Sequence, residues 1–260
     1  MKELVLQEIE AADMILIGLG EEFDQRSQLL KNENYKRNEK KLKDDKNEWL
    51  IPVLMEESRI EMGISISKAL DSLVKLLDNK NYYIISTSLS DEIRRRMWLR
   101  NHLVVPLGNV YRYQCSEKCD NVPMDMNAKE KELVSSVLKQ GLNPEIRNGS
   151  SLGKCPLCGK EKHCNTVYLY EEYDERGYQE EWKRYTNWLQ LTLNHKVLLL
   201  ELGVGLNYPS VIRWPFEKIA SINQQSRLCR IHESLYHLPE GLAQKGISIP
   251  ENAIAWLESM

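Results

Sequence analysis

The chain has 260 residues, 42% of them hydrophobic and 28% charged, with a formal net charge of −3. That length can bury the core of one large α/β domain with a small appendage, and the nearly balanced charge gives no basic field to attract nucleic acid. No run approaches the roughly 20 apolar residues of a membrane helix, and acids interrupt the opening "MKELVLQEIEAAD", so a cytoplasmic protein with no membrane partner is expected.

Along the chain, Leu4, Leu6, Ile9 and Ala12 share one face of a short helix. Met14 to Ile17 is continuously apolar, the pattern of a strand buried on both faces. It runs into Gly18-Leu19-Gly20 and then Glu21 and Glu22. Glycines there permit close approach of a phosphate, yet one carboxylate about 5 Å from a phosphate charge costs on the order of 3 kcal/mol at an effective dielectric near 20. Either the glutamates turn inward and defeat such a site, or they cap the next helix and face solvent. Residues 31–48 are dominated by mixed charge with almost nothing to bury, which predicts a solvated helix or a mobile loop.

Ile60, Ile64, Ile66, Ala69, Leu70, Leu73, Val74 and Leu77 recur at helical spacing and predict one amphipathic helix over 58–77. Strands are expected at 82–87 and 102–108, with a short basic helix around Arg94 to Trp98 between them. Beyond a cysteine-bearing insertion come a helix over 180–192, the strand "KVLLLELG" at 196–203, a turn and helix over 208–223, a strand at 227–233 and two short C-terminal helices. This alternation predicts a Rossmann-like parallel sheet with helices on both faces. The tryptophans Trp98, Trp182, Trp188, Trp214 and Trp256 read as core or helix-packing residues, with lining of a pocket as the alternative for Trp214 on the helix after the second glycine turn.

"CSEKC" sets Cys115 and Cys119 four apart, and "CPLCGK" sets Cys155 and Cys158 three apart with Pro and Gly shaping the knuckle. Two such pairs can complete the four-sulfur tetrahedron that Zn²⁺ prefers, and a shell with no open position makes the zinc structural. Cys164 and Cys229 have no partner pattern and read as buried thiols.

The order of these parts resembles the sirtuin family of NAD-dependent protein deacylases, in which a zinc ribbon is inserted into a Rossmann-type domain. "LLLELGVGLNYPSVIRWPFEKIASIN", residues 198–223, is similar to a segment of the microbial, macrodomain-linked sirtuins, some of which transfer ADP-ribose to protein. The resemblance implies a bacterial protein of sirtuin fold with NAD or ADP-ribose as cofactor and a protein substrate or partner. It places Rossmann-like parts at 1–30, 80–114 and 180–260, a helical insertion at about 31–79 and the zinc ribbon at about 115–179. It also puts Gly18, Gly20, Ser88, Gly203, Val204, Gly205 and Asn207 at the cofactor, and Asn223 at the adenosine ribose.

The departures from the family pattern bear on chemistry. In place of the Asp-Phe-Arg element that folds over the nicotinamide ribose stands "EEFDQRSQ", where Phe23 with Asp24, or Arg26, could stand in. The Asn and Asp after the second strand become Ser88 and Ser90, and Asp91 recovers the acid only with a one-residue shift. The general-base histidine is Leu107 in "PLGN". His102 lies about 16 Å away along an extended strand, at the wrong end of the sheet, and His195, His232 and His237 fall on or near surface segments. Asp91 is left as the acid that could act as a base. Three readings follow: an NAD-consuming transferase, a catalytically inactive scaffold that binds NAD, ADP-ribose or a partner, or a zinc-ribbon interaction protein supported by its Rossmann part.

Overall fold

The computed structural model describes residues 1–97, 101–143 and 151–260; Trp98 lies outside them. The main sheet holds six parallel strands: β1 (Met14–Leu19), β2 (Tyr82–Ser86), β3 (Leu103–Val104), β7 (Val197–Leu202), β8 (Arg227–Ile231) and β9 (Gly246–Ile249). Their order is β3-β2-β1-β7-β8-β9. This is the Rossmann order, and it reverses direction between β1 and β7, so the crevice for a ligand lies beyond the carboxyl ends of those two strands.

β1 and β7 are buried along their whole length, as their unbroken apolar runs require. Alternate residues feed two cores. Ile15, Ile17 and Leu19 join α1 (Lys2–Ala11), α5 (Ser67–Leu76) and α10 (Ala253–Glu258) on one face. Leu16 faces α8 (Gln179–Gln190) and α9 (Arg213–Ile222) on the other. Glu201 of β7 and Arg230 of β8 are also buried between strands, opposite each other in register. Arg230 Nε donates to Glu201 at 2.6 Å, Nη2 donates to Glu217 of α9 at 2.7 Å, and Nη1 donates to the carbonyl of His237 at 2.6 Å.

A second module carries its own core. Its antiparallel sheet runs β5-β4-β6, with β4 at Gly108–Cys115, β5 at Met124–Asp125 and β6 at Lys162–Thr166. Against it pack α2 (Arg26–Leu29), α3 (Glu33–Asp44), α4 (Ile51–Glu61) and α7 (Ala128–Leu142). α6 (Asp91–Met97) follows β2.

Several expected elements differ. The charged stretch 31–48 forms α3, and it is a packed helix: Tyr35 and Leu42 are buried in the second core, and Glu39 is held by Arg26 at 2.6 Å. Two apolar residues on one face suffice, and the average polarity of the run hides them. The helix expected over 58–77 is two helices, because Gly63 takes φ +64° and turns the chain between α4 and α5. α5 consequently belongs to the parallel-sheet core and α4 to the second module, so the helical insertion ends before α5. β3 is only two residues long, and the chain turns at Gly108 into β4 of the second module. β9 and α7 were not expected; the two short C-terminal helices are present as a 3₁₀ segment at Glu240–Lys245 and α10, with β9 between them.

Removing the cation from the buried trio leaves the Glu201 carboxylate unpaired in the core. Arg230→Ala should therefore lower the unfolding free energy by about 3–5 kcal/mol in urea titrations.

Candidate functional site: the crevice between two glycine turns

β1 and β7 end side by side, with Leu19 opposite Leu202. Their turns touch directly. Gly20 N–H donates to the Leu202 carbonyl at 2.8 Å, and Glu22 N–H donates to the Gly203 carbonyl at 3.2 Å. A Cβ on Gly20 would overlap the Gly203 carbonyl, and Gly203 itself takes φ +62°. The glycines are thus needed for turn-to-turn contact. Gly18 is not in the turn: it lies inside β1, where a side chain would collide with Ile212. Val204 is buried in the core under α9, and Asn207 is exposed in the following loop. Asn223 is far from these turns. It caps the C-terminal end of α9 and donates to the carbonyl of His195, just ahead of β7, at the opposite edge of the sheet. A cleft of about 450 Å³ lined by Lys196, Gln224, Arg227 and Lys245 lies on that edge, away from the glycine turns.

The two glutamates turn inward. Glu21 Oε2 accepts the Gly205 N–H at 2.6 Å. Glu22 accepts the N–H of Glu233 at 2.9 Å and of Ala253 at 2.7 Å. Burial pushes the Glu22 carboxyl above its ordinary range, and these two amides pull it back. Neither side chain is free in solvent, so the expected alternative of solvent-facing caps is corrected. Both carboxylates are thus anions held by backbone amides. Behind the Gly203 turn, Arg213 donates to the carbonyls of Val204 at 2.5 Å and Leu235 at 3.0 Å, while its buried Nε has no partner.

His232, which sequence reasoning left on or near the surface, follows β8 directly at this crevice. Its Nδ1 accepts the N–H groups of Ser234 and Leu235, both at 3.0 Å. Burial and the charges of Arg213 and Arg230 bring its pKa down to about 4. The ring is therefore neutral near pH 7, and its 3.3 Å approach to Glu22 joins two acceptors and is not an ion pair. The usable signal was the strand at 227–233, whose last residue must emerge at the crevice.

The loops after β2 and β3 complete the floor. Asp24 accepts the Ser88 hydroxyl at 2.7 Å and the Leu89 N–H at 2.9 Å, so Ser88 is tied to the first turn. Phe23 is fully buried in the main core, and Arg26 is engaged by Glu39 and Tyr35, so neither covers the crevice. Asp91 accepts the Asn109 amide at 3.1 Å and pairs with Arg95 at 3.0 Å. Leu107 is buried, immediately before Gly108. The hydroxyls of Thr87 and Ser90 are buried without partners. His102 precedes β3 and packs edge-on against Tyr82, at the far edge of the sheet as its position in the strand predicts.

The ribbon brings Cys115, Cys119, Cys155 and Cys158 together, with all four sulfurs within 4.8 Å of one another. Cys115 and Cys158 sulfurs are 3.3 Å apart and those of Cys119 and Cys155 3.6 Å. A tetrahedral zinc with bonds of about 2.3 Å has sulfur–sulfur edges of about 3.8 Å, so the donor set fits. Gly159, at φ +71°, closes the second knuckle with an N–H to the Cys155 carbonyl at 2.9 Å. Cys164 and Cys229 are buried away from this cluster.

No protein-family model matches the chain. The structure of Sir2Tm bound to a propionylated peptide superposes with a TM-score of 0.58 at 12% identity, covering 99% of this chain and 95% of that one. The chain has the sirtuin fold. A Sir2–p53 peptide–NAD+ structure also matches, with a TM-score of 0.56 and 11% identity over 100% of this chain and 96% of that one. In sequence, a protein ADP-ribosyltransferase of Staphylococcus aureus (strain Mu50) is 22% identical over 185 residues, which are 70% of this chain and 56% of that protein. A probable bifunctional ADP-ribose hydrolase/ADP-ribosyltransferase of Fusarium oxysporum f. sp. cubense is 28% identical over 126 residues, 47% of this chain and 20% of that protein. The chain therefore spans only part of these relatives. Among the described residues no helix is long and apolar enough to cross a membrane.

Within this sirtuin fold Asp24 is buried beside Ser88. Complete burial raises its pKa from an ordinary 3.8 to about 6, against the opposing pull of the Ser88 hydroxyl and Arg59. The folded state thus holds a proton that the unfolded chain has released, and this group's contribution to stability falls as pH rises from about 4 to about 6. Asp24→Asn should be more stable than wild type near pH 7, by at most about 3 kcal/mol, and the gain should vanish near pH 4. Thermal melts across that range measure it.

Proposed function

We propose that the chain is a nucleotide-binding protein of sirtuin fold that takes NAD or ADP-ribose in the crevice between the β1 and β7 turns. The observation that carries this reading is an anion already seated on the turn amide at the switch point: the Glu21 carboxylate on Gly205 N–H. A site that holds a carboxylate on backbone amides has the donors that a phosphate needs, and the inward repulsion that would defeat it is relieved when the carboxylate swings out. Arg213 behind the turn adds positive charge, and the relatives named as ADP-ribosyltransferases support the ligand class. Gly205, and Glu233 and Ala253 once Glu22 releases them, supply the amides; NAD would bring the ADP-ribosyl group to be transferred. Calorimetry with NAD and with ADP-ribose tests the reading directly. Binding of either at micromolar to millimolar concentration is the expected result, and binding of neither overturns it.

The chemistry on the nicotinamide side is a narrower matter. Leu107 cannot accept a proton, and Ser88 is committed to Asp24. A general base typically contributes about 10² to 10⁴ in rate, so the purified protein should show no NAD-dependent deacetylation of acetylated peptides at ordinary rates. Turnover at such rates would place the base on one of the two remaining acids, and Asp91→Asn and Asp24→Asn would identify which. A catalytically inactive module that binds ADP-ribose, or a protein partner, accounts for the same loss.

The four cysteines are proposed to hold one structural zinc. Elemental analysis should find about one zinc per chain. Cys155→Ser should lower that content and loosen the ribbon while leaving the parallel sheet folded, because metal binding there is coupled to local folding. Zinc-free protein that retains a folded ribbon would refute the assignment.

A further inference from the structure

The two inward glutamates are not equivalent. Glu22 holds two amides from separate segments, the Glu233 loop and the start of α10, and fastens the C-terminal part of the chain to the first turn. Glu21 holds one amide, that of Gly205, and is only partly buried. A side chain at position 205 would bring a Cβ to 2.8 Å from Glu21 Oε2 and move the carboxylate off the amide. The buried Arg213, whose Nε has no partner, lies close enough for Glu21 to favour its charged form.

We propose that Glu21 is an intramolecular occupant of the phosphate position, and that it decides which nucleotides enter the crevice. This rests on the nucleotide reading above and adds a specificity to it. In the state described, the Gly205 amide cannot serve a ligand phosphate until Glu21 leaves it. A carboxylate that remains nearby also repels the phosphate. A ligand without phosphate meets neither obstacle. The crevice therefore discriminates against phosphorylated ligands in proportion to their charge near Gly205, and displacement of Glu21 is the step that admits ADP-ribose. Charge and occupancy make separable contributions. A glutamine at position 21 removes the charge and can still accept from Gly205, whereas an alanine removes both.

The test compares wild type, Glu21→Gln and Glu21→Ala for binding of ADP-ribose and of adenosine by calorimetry, with ¹⁵N-glycine spectra reporting the Gly205 amide. Repulsion on the order of 3 kcal/mol at about 5 Å corresponds to roughly a hundredfold in affinity. Glu21→Ala should therefore tighten ADP-ribose binding by about ten- to a hundredfold, Glu21→Gln should gain less, and adenosine should bind all three alike. The Gly205 resonance should move in Glu21→Ala and remain near its wild-type position in Glu21→Gln. Equal or weaker ADP-ribose binding by Glu21→Ala, with the fold intact, overturns this inference and leaves the nucleotide reading standing. An unmoved Gly205 resonance in Glu21→Ala overturns it too, since the contact would be absent. Failure of every variant to bind either probe overturns the nucleotide reading and the inference with it.

Discussion

Gly20 and Gly203 have no side chains, and their backbones meet where β1 and β7 end. Every other feature of the crevice depends on that contact. The Glu22 N–H reaches the Gly203 carbonyl only because both turns are bare, and this bond fixes the direction in which residues 21 and 22 leave the strand. Once their backbone is fixed there, the two carboxylates point at the amides of the next turn and of the C-terminal segments. A larger residue at either glycine would part the strands at the switch point. In a Rossmann-order sheet that is the one place where two turns must diverge to admit a ligand.

The charges around the crevice form a nearly closed set. Glu201 and Glu217 face Arg230, Arg213 stands behind the Gly203 turn, and Glu21 and Glu22 stand in front of it. Arg230 is engaged on all sides by Glu201, Glu217 and the His237 carbonyl, and it leaves Arg213 as the cation nearest the turn. Burial and Arg230 both work against the charge on Arg213, while Glu201, Glu217 and Glu21 favour it. An anion seated on Gly205 therefore does more than satisfy an amide. It also lies in the field of Arg213, as the smallest of the three acidic influences on that guanidinium. The neutral His232 adds no charge to this balance and serves as an acceptor for its own loop.

Much of the fold was legible because the informative residues are local. The unbroken runs of β1 and β7, the cysteine spacings and the amphipathic α5, α8 and α9 all carry their pattern within a few residues. What was not legible depends on partners distant in sequence. Tyr35 and Leu42 reveal α3 as a packed helix only when the second core exists to receive them. Gly63 breaks a helical periodicity that otherwise runs smoothly across it. In the crevice, Gly18 and Gly20 look alike in sequence, but one packs under Ile212 and the other against Gly203. Asn223, expected at an adenosine ribose, caps α9 at the amino-terminal end of the strands. The positions of Glu21 and Glu22 could be narrowed by charge to two outcomes, and the amides that chose between them come from residues 205, 233 and 253.

The two modules are held together by ion pairs that meet on Asp125, an exposed acid, and on the buried Glu181, and this bears on how the crevice can work. Arg94 forms a bidentate pair with Asp125 at 2.9 Å, and Arg112 links Asp125 to Glu181 of α8. On the crevice side, Arg59 of α4 pairs with Glu56 and lies near enough to Asp24 to pull its pKa down. Partly exposed pairs such as those on Asp125 add little net stability because solvent screens them, and the buried Arg112–Glu181 pair adds little because desolvation offsets most of its attraction. They do penalise any rearrangement that breaks one partner from the other. The helical module and ribbon are therefore fixed in place over the loops after β2 and β3, and Asp24 with Ser88 is fixed beneath them. Among the groups that line the glycine turns, Glu21 is the acid held by a single hydrogen bond and by no part of this framework. Adjustment of the crevice to a ligand has its least costly path through that one side chain.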